Sequence, residues 1–262
     1  MNIWLEAIHL LNRVLEAAPM LPFISLWLRR STVTYKFRPV AYYIEFEFVF
    51  YILDVVSRAI FRNNVYIFHL STAVAVALLS ATYYRLFLSS RIKNYIKISL
   101  VVFVFIAFFD AAFLNGLFTD VNSYSQAFGS IILVSLALLH IMRVSRTSLY
   151  LESQPDFFFS IAVLVYFSYT IVTYVATNII YNSGYDVATT VRLDDIVSSP
   201  DTILFAIQMG LFAWMFSFFP LDIAPLRALP YWLHYSQWHP RTYKLLGQKT
   251  IGVGHLTTTA EN

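Results

Sequence analysis

Six long apolar runs dominate this sequence, and each approaches the ~20 residues that an α-helix needs to cross a bilayer. A bilayer admits only helices and closed β-barrels, and barrel strands appear as short alternating segments instead of unbroken runs. The sequence therefore predicts an all-α, polytopic membrane bundle. The predicted helices cover residues 41–60, 65–87, 95–117, 126–143, 157–181 and 201–219.

The composition excludes an ordinary soluble domain of this length. Of 262 residues, 58% are hydrophobic and 13% are charged, whereas soluble domains carry about 25% charged residues. Lipid is therefore the expected partner of most of the surface. The net charge of +3 does not indicate nucleic-acid binding, because basic connections are typical of membrane proteins. The absence of cysteine excludes disulfides, thiolate metal sites and a cysteine nucleophile.

The segment 3–28 allows two interpretations. A polar residue recurs there every three or four positions, which places these residues on one helical face. They are Glu6, His9, Arg13 and Glu16. Such a helix either lies on the membrane surface or forms a first span whose polar stripe faces the bundle. We expect a span, which gives seven membrane helices, and we find no pattern of a cleavable leader.

The basic residues are distributed unevenly between the connections. Alternate connections, counted with the tail, hold fourteen Lys and Arg residues, and the remaining connections hold three. The positive-inside rule then places the N-terminus outside and the C-terminus in the cytoplasm of a bacterial inner membrane. We expect residues 1–220 to form the transmembrane domain and 221–262 a cytoplasmic interfacial segment and tail. The longest outer connection is expected at 182–200.

Polar residues of the predicted spans gather at one depth. At ~1.5 Å per residue, eight candidate ligand-binding residues fall in the outer half of the bundle. They are Glu6, His9, Asp54, Arg58, His69, Asp110, Asn115 and Asn178. A charge inside a membrane costs at least about 2.5–3.5 kcal/mol, so such groups usually face protein and have partners. They form either an outward-facing cavity for a small ligand or ion, or structural pairs, as the i, i+4 spacing of Asp54 and Arg58 allows.

Three further ionisable residues are predicted nearer the inner surface. Glu45 and Glu47 are two positions apart on a helix, so their side chains point in different directions. We expect one of them to face lipid headgroups and the other the bundle. His140 is the third residue of this group.

Several known chemistries lack their sequence requirements. The last span has no lysine for a retinal Schiff base. The chain also has no H-E-x-x-H zinc motif, no Gly-rich phosphate loop and no G-x-S-x-G elbow. We therefore expect no cofactor, no metal and no catalytic constellation. With only seven glycines, the broken helices of many transporters are poorly supported.

Three stretches, 63–79, 115–139 and 154–172, resemble a widespread group of uncharacterised bacterial seven-helix membrane proteins. Short motifs carry this resemblance across about residues 5–220. The matching positions are Leu21 and Pro22, Asp54 and Ser57, His69 and Thr72, the turn 122–125, and the Tyr-Phe-Ser of 166–168. The chain departs from the pattern at Ala75 and Gly129, where the resemblance implies glutamate.

The resemblance implies a seven-helix integral membrane protein without an established activity. Members of this group often lie among signal-transduction genes, which favours a sensory or signalling membrane protein. In this interpretation a ligand in the outer cavity shifts the helices, and the basic inner connections pass the change to a cytoplasmic protein partner. The alternative is a small transporter or channel for a polar solute or ion, which requires a continuous polar path through the bundle.

Overall fold

The computed structural model describes residues 15–60, 63–118, 122–147 and 154–222. Within these ranges the regular structure is helical and no β-strand occurs. The α-helices of the described ranges are α1 (Met20–Trp27), α2 (Arg38–Ile60), α3 (Val65–Leu86), α4 (Ser90–Phe109), α5 (Ser123–Thr147), α6 (Pro155–Asn182) and α7 (Val187–Ser217). Glu6, His9 and the tail from residue 223 lie outside the described residues.

Five of these helices, α3 to α7, are long and apolar enough to cross a membrane. Helix α2 is similar in length, with 23 residues, but carries several charged side chains, among them Glu47 and Asp54. The chain is therefore an all-helical, multi-pass membrane protein. This confirms the prediction of a helical membrane bundle from the apolar runs, and each of the six predicted helices overlaps a helix of the structure.

The prediction is wrong at the start of the last helix. An outer connection was expected at 182–200, but α7 begins at Val187 and only a short turn separates it from α6. Asp186 caps the helix by accepting a hydrogen bond from the backbone N–H of Thr189 at 3.2 Å. This interaction with Thr189 lowers the pKa of the Asp186 carboxyl. This cap and the packing against α6 stabilise the helix in a polar stretch whose sequence is typical of a loop.

Two side-chain contacts fasten the early part of α7 to α6. The Thr177 hydroxyl donates to Asp194 at 2.9 Å, and the Tyr169 hydroxyl donates to the carbonyl of Val197 at 2.8 Å. The helix then continues through Pro200, which cannot donate to the carbonyl of Ile196. The Ser199 hydroxyl contacts that carbonyl at 3.4 Å.

The helices form an antiparallel bundle. Helix α3 packs against α2, α4 and α5, helix α6 lies between α5 and α7, and α1 packs on α2 and α7. We call the end of the bundle at the connections 28–37 and 87–89 the basic end, because arginines bind backbone there. Arg29 donates to the carbonyl of Phe219 at 3.0 Å, and Arg143 donates to the carbonyl of Leu86 at 3.0 Å. Burial lowers the pKa of Arg29.

Aromatic side chains fill the core toward the basic end. Phe159 lies 4.8 Å from Tyr83 between ring centroids, and Phe212 lies 5.9 Å from Tyr43. His140 belongs to the same core, where its Nδ1 is 3.0 Å from the Ser160 hydroxyl. Close packing of such rings supplies the dispersion contacts that hold membrane helices together.

Helices α3, α4 and α5 meet closely at Gly129. A Cβ atom at this position would lie 2.5 Å from Cγ2 of Val76 and 3.0 Å from Cε2 of Phe103. Only glycine leaves enough space for this contact. Nearby, α4 ends in a π-helical turn, Asp110–Leu114, in which the N–H of Asn115 donates to the carbonyl of Asp110 at 2.9 Å. Gly116 follows with a φ of 71°, which a residue without Cβ adopts readily.

Candidate functional site

A cavity of about 340 Å³ opens between α2, α3, α5, α6 and α7. Its polar and charged lining side chains are Glu16, Tyr43, Glu47, Tyr51, Asp54, Arg58, Asn64, Ser71, Thr72, Gln126, Tyr166, Tyr174, Asp201 and Thr202. Its apolar lining includes Phe50, Phe68, Ala75, Phe167 and Phe205. We call the end of the bundle where this cavity opens, near Arg58 and Asn64, the cavity end. The volume lies at the lower limit of small-molecule sites.

Helical periodicity brings these side chains to one place. On α2, Glu47, Phe50, Asp54 and Arg58 follow one another at three or four residues and therefore share a face. The same spacing joins Phe68, Thr72 and Ala75 on α3, and Asp201 with Phe205 on α7. The remaining wall comes from tyrosines of α6. The cavity is thus built from the inward faces of separate helices.

A charged cluster lies at the mouth of the cavity. Arg58 Nη2 is 2.6 Å from Oδ2 of Asp54 and 3.1 Å from Oε2 of Glu16. Asn64 donates to the other oxygen of Asp54 at 2.6 Å. The Arg58 and Glu16 side chains are 45% and 40% exposed, so each ion pair is worth at most about 1 kcal/mol. The predicted i, i+4 pairing of Asp54 with Arg58 is present, and Glu16 extends it.

Glu47 lies deeper, with 8% of its surface exposed. Its Oε1 accepts a hydrogen bond from the Ser71 hydroxyl at 3.2 Å, and the Tyr43 side chain interacts with the same carboxyl. Glu45, two positions earlier, points away and pairs with Arg30 at 3.1 Å. The two glutamates diverge as their spacing predicts, and only Glu47 lines the cavity.

Asp201 approaches the cavity from α7. The Tyr166 side chain interacts with its carboxyl. Oδ1 of Asp201 is buried and has no hydrogen-bond partner among the described residues. A buried acceptor without a donor costs free energy, and Asp201 is one of the residues that line the cavity.

A hydrogen-bonded network stiffens the wall formed by α3, α4 and α5. Thr72 donates to Gln126, and Asn122 donates to Thr72 at 2.7 Å. Asp110 accepts from the backbone N–H of Ser125 at 2.8 Å and from Asn115 at 2.7 Å. Ser125 in turn donates its hydroxyl to the carbonyl of Asn122 at 3.2 Å. The network therefore continues from the cavity wall to the end of α4.

The structure separates the eight candidates into groups. Asp54 and Arg58 line the cavity, whereas Asp110 and Asn115 belong to the network behind its wall. His69 is buried on α3 and Asn178 accepts from Asn182 at 3.1 Å; neither lines the cavity. The candidates Glu6 and His9 lie outside the described residues.

Several residues that line the cavity are not among the eight candidates predicted from the sequence. Glu16 lies one turn before Pro19 and belongs to the predicted polar stripe. Membership of that stripe is the sequence signal that favours a position facing the bundle. For Glu45 and Glu47, the spacing predicts that the two side chains diverge. Spacing alone does not reveal which of them faces inward. Asp201 is the first residue of the predicted helix 201–219 and follows Pro200 at the border of the expected loop, where a helical face is poorly defined. The tyrosines resembled ordinary packing residues.

The described residues include no group of three or more His, Asp or Glu side chains that could hold a metal ion. Comparison with known protein families, with curated proteins and with solved structures found no match.

Proposed function

We propose that this chain is a seven-helix sensory protein of a bacterial inner membrane, which binds a small polar ligand in the cavity and signals to the cytoplasmic side. In this proposal the segment 3–28, which includes α1, forms the first span, and α2 and the five long apolar helices form the other six. The excess of Lys and Arg at the basic end supports a cytoplasmic location for that end. The cavity then opens to the outside.

The observation that carries this proposal is the aromatic floor of the cavity. Tyr43 lines the cavity and contacts Phe212, whose ring centroid is 6.2 Å from that of Phe159. Phe159 then meets Tyr83, which lies 6.3 Å from Phe87 near the basic end. This packed layer supports a closed, receptor-like site more than a conducting path.

Helix α7 supports a route for the signal. It supplies Asp201 and Phe205 to the cavity. Toward its other end, the Ser25 hydroxyl donates to the carbonyl of Ala213 at 3.1 Å, and Arg29 binds the carbonyl of Phe219. A shift of α7 on ligand binding therefore reaches the basic end and the chain that follows it. A cytoplasmic signalling partner would bind there.

Transport of a polar solute is the second candidate. Three buried polar side chains on the floor side, Ser80, Ser130 and Gln208, have side-chain atoms without a hydrogen-bond partner among the described residues. Unpaired polar groups in a membrane core are costly. They favour transport if a conformational change exposes them to a continuous water-filled path.

Cysteine accessibility distinguishes the two functions, because the chain has no cysteine of its own. Single variants Thr202→Cys in the cavity, Ser80→Cys near the floor and Ser90→Cys at the basic end are treated with a charged, membrane-impermeant thiosulfonate reagent. The reagent is added to one face of oriented vesicles at a time. We expect Thr202→Cys to react from outside only, Ser90→Cys from inside only, and Ser80→Cys from neither face.

Ile203→Cys is the matched control, because Ile203 neighbours Thr202 but is exposed on the outer surface of the bundle, where the proposed topology places lipid. It should not react from either face. Reaction of Thr202→Cys or Ser80→Cys from both faces would replace the sensory proposal with transport. Reaction of Thr202→Cys from inside alone would reverse the proposed orientation.

A further inference from the structure

The cavity has more negative than positive charge. Four carboxyl side chains line it, and Arg58 is its only lining Lys or Arg among the described residues. Arg58 is already paired with Glu16 and Asp54. Glu47 and Asp201 have no basic partner in the described ion pairs. Two carboxyl groups without a basic partner line this partly open cavity. A cation that binds beside them balances the charge of their ionised form.

Hydroxyl groups surround these two carboxyls. The Ser71 hydroxyl donates to Glu47, and the hydroxyl-bearing rings of Tyr43 and Tyr166 interact with Glu47 and Asp201 respectively. Oδ1 of Asp201 receives no hydrogen bond from the described residues, so this carboxyl has unused acceptor capacity.

The remaining wall is aromatic. Eight lining residues are phenylalanine or tyrosine, and they come from α2, α3, α6 and α7. They are Tyr43, Phe50, Tyr51, Phe68, Tyr166, Phe167, Tyr174 and Phe205. The faces of such rings attract ammonium groups, with about 2 kcal/mol or more when the site is desolvated. Their apolar surface also suits a hydrocarbon body, which an inorganic cation lacks.

We propose that the cavity binds a small organic ammonium ion, whose N–H groups contact Glu47 and Asp201 and whose hydrocarbon part lies against the aromatic wall. This inference rests on the proposed sensory function and names the class of its ligand. The volume of about 340 Å³ restricts the ligand to a small amine. The charge balance excludes a carboxylate or phosphate ligand from the same position.

Binding of 2-phenylethylamine to the purified full chain in lipid nanodiscs tests this class by calorimetry. The comparison ligands are 2-phenylethanol, which has the same body without charge, and phenylacetate, which is negative. We expect measurable binding of the amine and at least tenfold weaker binding of both comparison ligands. Equal binding of the alcohol, or saturation of the site by sodium or magnesium alone, would overturn the proposal.

Matched variants locate the site. Glu47→Gln and Asp201→Asn should each weaken amine binding at least tenfold. Glu45→Gln and Asp194→Asn remove a carboxylate from the same two helices outside the cavity and should leave the affinity unchanged. Similar losses in all four variants would contradict binding in the cavity.

A rate measurement keeps the proposal testable if a cavity variant does not fold. Thr202→Cys should react at least tenfold faster with a cationic thiosulfonate than with an anionic one of similar size, while Ser90→Cys serves as the reference for intrinsic reactivity. No preference for the cation, with reaction from outside only, would refute the amine site and leave the sensory proposal standing. Amine binding with reaction from both faces would support the amine site and assign it to a transporter.

Discussion

Gly129 determines how closely three helices approach one another. Its missing Cβ allows Val76 and Phe103 to meet the backbone of α5. Neighbouring Ala75 lines the cavity, whereas Gly129 faces packed side chains. A glutamate, which the family resemblance implies at both positions, would therefore add a carboxylate to the cavity at residue 75 but has no space at residue 129.

We expect Gly129→Ala to destabilise the protein by about 1–3 kcal/mol, because the added methyl group overlaps Val76 and forces the helices apart. Thermal unfolding in detergent, followed by tryptophan fluorescence, measures the change. Gly210→Ala is the control, since a Cβ there meets nothing within 4 Å and the substitution favours the helix. An unchanged midpoint for Gly129→Ala would mean that the helices adjust without cost.

At the scale of elements, α6 and α7 are longer than the membrane requires. Their 28 and 31 residues correspond to about 42 and 46 Å, compared with a hydrocarbon thickness of about 30 Å. The excess lies at the cavity end, because Tyr174 and Asp201 line the cavity and several turns of each helix extend past them. We infer that this hairpin rises above the membrane surface.

Single cysteines test the height of the hairpin. Tyr181→Cys and Val187→Cys replace exposed residues near its turn and should be labelled completely by an impermeant maleimide. Ile207→Cys also replaces an exposed residue, but one that lies on the apolar part of α7, so we expect no labelling. Protection of the first two positions would place the hairpin inside the bilayer.

The bounds of these helices show which parts of the fold can be predicted from the sequence. Hydrophobic periods located the core of each of the six predicted helices, because lipid requires apolar side chains on every outward face. They did not locate the first turns of α7, where Asp186 and Thr189 form the cap and Asp194 binds Thr177 on the neighbouring helix. Such tertiary contacts between polar residues leave no periodic apolar signal.

The site was predictable to a smaller extent. Depth along a helix brought Asp54 and Arg58 to one level, and both line the cavity. Depth does not determine which way a side chain points around the helix axis. A prediction from depth therefore also includes His69 and Asn178, which do not line the cavity. Glu47 and Asp201 line the same cavity because α2, α6 and α7 pack in one particular arrangement. A single sequence does not specify that arrangement.

At the scale of the molecule, the packed aromatic layer and the charged cavity occupy different parts of the bundle. The basic end is fastened by arginine contacts to backbone carbonyls, such as those of Arg29 and Arg143. The cavity end holds the uncompensated carboxylates. Helix α7 belongs to both parts, and it therefore connects the proposed binding event to the chain beyond Phe219.

The depth of Glu47 has an electrical consequence. Glu47 and the exposed Arg58 are eleven positions apart on α2, or about 16 Å along the helix axis. On the proposed topology, a cation that reaches Glu47 from outside crosses roughly half of the transmembrane voltage. Because one charge moved through 100 mV gains about 2.3 kcal/mol, a negative interior favours occupancy by roughly 1 kcal/mol.

Affinity for 2-phenylethylamine should therefore rise about fivefold when proteoliposomes are given an inside-negative potassium diffusion potential of about 100 mV. Binding of uncharged 2-phenylethanol should be insensitive to the same potential. An amine affinity that is independent of voltage would place the ammonium group near Arg58 instead of Glu47. With the predicted response, occupancy of the cavity depends on the membrane voltage as well as on the concentration of the amine.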